Sequence, residues 1–124
     1  MAPTRPATIL VLVSDADVRE LIRHILVRSE HRVLIAADEA HASRLARSGE
    51  IDVLLVEVAP AVDGRSIAER IRAAAPGLPV LFVTGWFDHP HFAGLEDEPI
   101  VKAPFSRKEL ARAIDAVVRG ERGQ

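Results

Sequence analysis

The sequence predicts an α/β fold: a doubly wound, five-stranded parallel sheet with helices on both faces. Three observations carry this. Four short runs are apolar at nearly every position, as strands covered on both faces are. They read "TILVLV" (8–13), "RVLIA" (32–36), "DVLLVEV" (52–58) and "PVLFVT" (79–84), and a weaker fifth is "PIVKA" (99–103). Between them, apolar residues recur at helical spacing. Strands alternating with helices require crossover connections, which are right-handed and give parallel pairing.

Each helix has a start and a stop. After "SDAD", Val18, Leu21, Ile22, Ile25 and Leu26 make one apolar stripe, with Ser14 and Asp17 at the spacing of a capping box. Asp38 is a candidate N-cap for a second helix carrying Ala42, Leu45 and Ala46. Ile67, Ala68, Ile71 and Ala74 mark a third, preceded by the turn signal Asp63–Gly64 and closed by "PG" at 76–77. The last is the best specified: Ser106 and Glu109 form a capping-box pair, Leu110, Ala113, Ile114, Val117 and Val118 follow in phase, and Gly120 ends it. The span from 85 to 98 is broken by Pro90, Gly94 and Pro99, so any helix there is short or irregular.

Bulk properties narrow the function. At 124 residues the chain suits one compact domain, here 8–120, with a flexible lead-in at 1–7 and a tail at 121–124. A net charge of −2 with interspersed signs gives no basic field for nucleic acid. The absence of cysteine excludes disulfides, thiolate metal sites and cysteine nucleophiles. The early apolar run Ile9 to Val13 is too short for a signal-peptide core or a membrane span, so a cytoplasmic protein without membrane attachment is expected. Histidines at 89 and 91 flank a proline and have no companion ligands in sequence.

In doubly wound sheets the functional crevice lies beyond the carboxyl ends of the strands. That rule selects Ser14 and Asp15 after the first strand, Glu57 ending the third, Thr84 ending the fourth and Lys102 on the fifth. Glu57 stands out, because it ends an otherwise aliphatic run and a buried carboxylate needs a partner.

The stretches "ILVLVSDADVREL" (9–21), "DVLLVEVAPAVDG" (52–64), "PVLFVTG" (79–85) and "KAPFSRKEL" (102–110), in this order, resemble the receiver domain of bacterial two-component response regulators over nearly the full chain. The resemblance implies a flavodoxin-like domain. It also implies an aspartate ending the third strand that is phosphorylated with Mg²⁺ held by an acidic pair after the first. A Thr or Ser on the fourth strand and a Lys before "PF" then contact the phosphoryl group.

Residue by residue, this chain departs from that pattern. An ungapped alignment puts Val13 and Ser14 at the acidic pair and Asp15 one position late. Glu57 stands at the phosphoacceptor position, Thr84 matches directly, and Ala103 takes the lysine position with Lys102 one residue early. Asp15 and Glu57 are then the carboxylates available if Mg²⁺ binds; otherwise no cofactor is expected. Glutamate lengthens the carboxylate's reach by about 1.5 Å, and about 1 Å of misplacement can cost on the order of 10²-fold in in-line transfer. The expectation is a degenerate receiver, with Glu57 as an imperfect stand-in for a phosphorylated aspartate, acting by protein contact. Two alternatives stand beside it: a phosphorylatable receiver of unusual geometry, and a small α/β enzyme.

The resemblance bears on three further features. Ala103–Pro104 sits where receivers have a cis peptide. The aromatic switch on the fifth strand is replaced near Ile100, and the chain has no tyrosine. Trp86, Phe87 and Phe92 read either as cover for the core margin or as an exposed contact patch. The expected partners are a histidine kinase or a downstream regulator, with a homodimer also in view. Only "RGERGQ" follows the last helix, so output is expected to pass through a separate protein.

Overall fold

The structure is a computed structural model that describes residues 6–58, 63–84, 98–102 and 105–120. Its elements follow in strict alternation as far as β4: β1 (Thr8–Leu12), α1 (Ala16–Arg28), β2 (Arg32–Ile35), α2 (Glu39–Arg47), β3 (Val53–Glu57), α3 (Gly64–Ala74) and β4 (Val80–Thr84). Then come β5 (Ile100–Lys102) and a last helix, α4 (Arg107–Val118). All pairings are parallel, in the order β2-β1-β3-β4-β5. This is the flavodoxin-like arrangement that the alternation of apolar runs predicts. The expectations for the 85–98 helix, the aromatics Trp86, Phe87 and Phe92, and the Ala103–Pro104 bond fall on residues outside the described set, Glu98 excepted.

Every residue of β3 and β4 is buried, which explains why these strands read as continuous apolar runs. Alternation splits the core into two layers. Ile9, Val11, Val53, Leu55, Leu81 and Val83 pack with α1 and α4 through Ile22, Leu26, Leu110 and Ile114. Leu10, Leu54, Val56, Val80 and Phe82 pack with α2 and α3 through Ala42, Ala46, Ala68 and Ile71.

Helix starts are set by side-chain acceptors. Asp38 accepts from His41 N, and Ser106 with Glu109 closes the full capping box that the sequence predicts. Asp63, expected only as part of a turn, is the N-cap of α3 and accepts from Ser66 N. The start of α1 differs from expectation. Its N-cap is Asp15, which accepts from Asp17 N and Val18 N, so the Ser14–Asp17 capping box does not form. The physical reason is that Ser14 is engaged elsewhere.

The end of α1 is a Schellman motif built without glycine. His31 N donates to Leu26 O at 3.2 Å and Glu30 N to Val27 O at 3.0 Å, which places Glu30 in the left-handed region at φ 66°.

Candidate functional site

The carboxyl ends of β1, β3 and β4 bring part of the selected set together. Glu57, the last residue of β3, is 7% exposed. Its Oε1 accepts two hydrogen bonds from one residue, Ser14 N at 2.9 Å and Ser14 Oγ at 2.6 Å. Ser14 lies just past β1, which pairs directly with β3, so the bond ties neighbouring strands together at the mouth of the crevice. Charge-assisted bonds of this length are among the stronger ones available to a protein. Ser14 is thus a partner of the buried Glu57 carboxylate.

Asp15 is present but occupied. Its Oδ1 accepts Asp17 N at 2.9 Å and Val18 N at 3.2 Å, which commits it to the helix start. Thr84 is completely buried at the end of β4, one residue beyond Val83, the register partner of Glu57. Lys102 is exposed and sits opposite Thr84 in the ladder. By strand alternation Lys102 and Thr84 fall in the set of Ile100 and Phe82, whereas Glu57 falls in the set of Val83 and Val101. The one-residue shift read from "KAPF" is therefore realised as opposite facing.

Sequence reading missed two neighbours. Arg19 Nη1 donates to Val13 O at 3.2 Å, so its guanidinium lies beside the same turn. With Ser14, Asp38, Glu39, Glu57 and Ile67 it lines a cavity of about 320 Å³. The second is Gly64, the first residue of α3. A Cβ there would collide with the Glu57 carbonyl and stand 2.9 Å from Val58 Cγ2. The helix can approach the end of β3 this closely only because the residue has no side chain. The signal was in "DG", a cap residue followed by glycine, but nothing local says what the glycine must avoid.

Electrostatics around the cavity are set by ion pairing between helices. Arg70 of α3 grips Glu39 of α2 with two bonds, Nε to Oε2 at 2.7 Å and Nη2 to Oε1 at 2.9 Å. The Arg70 hydrogen bond holds the Glu39 carboxyl below its ordinary value, and the same bond raises Arg70. Asp63 is lowered first by the Ser66 hydroxyl and then by the Ser66 N–H.

The Mg²⁺ implied by the resemblance needs a near-octahedral shell of oxygen ligands. Among the described residues no three His, Cys, Asp or Glu side chains group to hold a metal. Asp15 is turned to helix amides, and the Glu57 oxygen nearest the β1 turn is taken by Ser14. The described residues thus offer that ion no grouped set of carboxylates.

Fold and crevice together define a doubly wound α/β domain with its candidate site at the carboxyl ends of the strands. The chain belongs to the response regulator receiver domain family, which it matches over residues 9–115. It is 31% identical to protein PetR of Rhodobacter capsulatus, the alignment covering 96% of this chain and 52% of PetR. It thus spans about half the length of the curated relatives it matches. Among solved structures it resembles chemotaxis protein CheY4 of Vibrio cholerae (TM-score 0.74, 21% identity, covering 91% of this chain and 99% of that one). It also resembles a response regulator receiver protein of Sinorhizobium medicae (TM-score 0.75, 22% identity, covering 93% and 96%). The receiver domain is a signalling module, so the small-enzyme alternative is set aside. No helix among the described residues is long and apolar enough to cross a membrane.

Proposed function

We propose that this receiver signals by protein contact without a phosphorylation cycle, with Glu57 as a permanent, weaker substitute for a phosphorylated aspartate. One observation carries the reading: the buried Glu57 carboxylate takes both donors of Ser14 on a single oxygen. A neutral serine stands where the ungapped alignment expects an acid, so the carboxylate meets hydrogen-bond donors in place of a metal-bridged pair. Glutamate brings one negative charge, against about −1.5 to −2 for a phosphoryl group. The facing of Lys102 away from the Glu57 set supports the same conclusion, because the lysine expected to contact a phosphoryl group is replaced by Ala103.

In this reading the domain occupies one signalling conformation, and its output depends on how much of it is made and on which partner it meets. The partner is a histidine kinase or a downstream regulator, and a second copy of the chain is the remaining option. The test is intact mass after incubation with an acyl phosphate and Mg²⁺, on the wild type and on Glu57→Asp. Absence of a phosphoryl adduct on both proteins is the expected result. Stable addition of one phosphoryl group to the wild type would refute the proposal. Labelling of Glu57→Asp alone would mean that the longer side chain is what silences an otherwise working site.

A further inference from the structure

β2 is an outer strand of the sheet, four residues long, and none of its residues is fully buried. Its ladder to β1 is bounded by two backbone bonds, Arg32 N to Ala7 O and Ala36 N to Val11 O, each 2.9 Å. One peptide beyond each of these stands an imidazole. At the entry, Ala7 N donates to His31 Nδ1 at 2.9 Å, and at the exit Ala37 N donates to His41 Nδ1, also at 2.9 Å. Each histidine is itself fixed through its own N–H, His31 to Leu26 O at 3.2 Å and His41 to Asp38 Oδ1 at 2.8 Å.

A ring nitrogen accepts a hydrogen bond only when it carries no proton, so both rings are neutral and hold their proton on Nε2. A protonated imidazole is a donor at both nitrogens and sets an N–H against the Ala7 or Ala37 N–H. Ala7 is buried and Ala37 exposed, so loss of the acceptor costs more at the entry than at the exit.

Charged groups of both signs surround each ring. Arg28, Glu30 and Arg32 adjoin His31 in the chain, and Asp52 at the entry to β3 accepts Thr8 N at 2.8 Å. Asp38, Glu39 and Arg44 adjoin His41, and Arg70 of α3 grips Glu39. The other charges of α3 are the Arg65–Glu69 pair and Arg72, which bonds Leu78 O. Neither sign prevails at either ring, so the acceptor role decides which form the fold favours. The stabilisation is complete on the alkaline side, where the rings are neutral, and is lost as pH falls and they take up protons.

We propose that His31 and His41 form an acid-released clasp on β2: neutral rings close the strand at both ends, and protonation opens it. The turn freed at the exit, residues 36–39, lines the same cavity as Glu57, so the release reaches the candidate site. The clasp does not depend on whether Glu57 stands in for a phosphoryl group.

The experiment uses the full chain, ¹⁵N-labelled, between about pH 8 and about 5.5, a window that titrates imidazoles and leaves carboxylates charged. At the alkaline end both rings show the Nε2–H tautomer. Acidification speeds hydrogen exchange at Arg32 and Ala36 about tenfold or more, after correction for the intrinsic pH dependence of exchange. Amides of β3 and β4 hardly respond. In the double variant His31→Asn, His41→Asn, a side-chain carbonyl that does not titrate takes each acceptor position, and the acid response disappears. Each single variant loses it at its own end, Arg32 for His31→Asn and Ala36 for His41→Asn. If the double variant does not fold, the wild-type tautomers and exchange rates still decide. An Nδ1–H tautomer on either ring at about pH 8 overturns the proposal. So does unchanged exchange in the acidified wild type, or an equal acid response in the double variant.

Discussion

Removing the Ser14 hydroxyl tests the contact on which the site rests. In Ser14→Ala the 2.6 Å bond from Oγ to Glu57 Oε1 is lost, while the 2.9 Å bond from the backbone N–H is kept. A hydrogen bond to a charged group contributes about 1.5–3 kcal/mol. Ser14 itself is exposed, so water competes for both partners and the lower figure of about 1.5 kcal/mol applies. With an unfolding entropy near 2.1 cal/mol/K per residue, a chain of 124 residues has about 260 cal/mol/K. The midpoint of thermal unfolding should therefore fall by about 6 °C. A double-mutant cycle isolates the pair: Ser14→Ala, Glu57→Leu and the double variant, each followed by urea denaturation and circular dichroism. The coupling energy between the two positions should be about 1 kcal/mol or more. A value under about 0.3 kcal/mol would mean that the hydroxyl and carboxylate do not act on each other, and the site would lose its stated linkage.

Three other changes have defined directions. Gly64→Ala should destabilise by about 1–3 kcal/mol in urea denaturation, because the new methyl must displace the Glu57 carbonyl or the Val58 side chain. Glu30→Gly should stabilise by about 0.5 kcal/mol: relief of the left-handed backbone outweighs the extra freedom that glycine gives the unfolded chain, and a lower urea midpoint would contradict this. Glu39, whose folded pKa lies below its ordinary 4.5, adds stability that is complete above that value and is lost as pH falls through the folded pKa. Arg70→Ala should flatten this part of the acid-unfolding profile, and identical slopes for the two proteins would argue against the pair's role.

The strands were legible because burial on both faces leaves a plain record, a run without polar interruption such as Val53 to Val56. Helix ends were legible where one local acceptor serves them, as at Asp38 and Ser106. The α1 start was misread because Ser14 and Asp15 are both acceptable caps by local rules. Glu57, 43 residues away, decides between them by claiming Ser14. The same separation hid the duty of Gly64, whose constraint is a carbonyl on another element. The facing of Lys102 was not legible, since it follows from the ladder register in which Lys102 pairs with Thr84.

The order β2-β1-β3-β4-β5 leaves β2 and β5 as the margins of the sheet, with four and three residues against five in each inner strand. Open strand margins are where separate chains add to one another through free backbone groups. A margin of three residues, entered through Pro99, which lacks an N–H, gives an incoming strand very little ladder to extend. Self-association by sheet continuation is thereby disfavoured on that side. A dimer formed on that side must be held by side chains, where charge and shape choose the partner and generic backbone pairing does not.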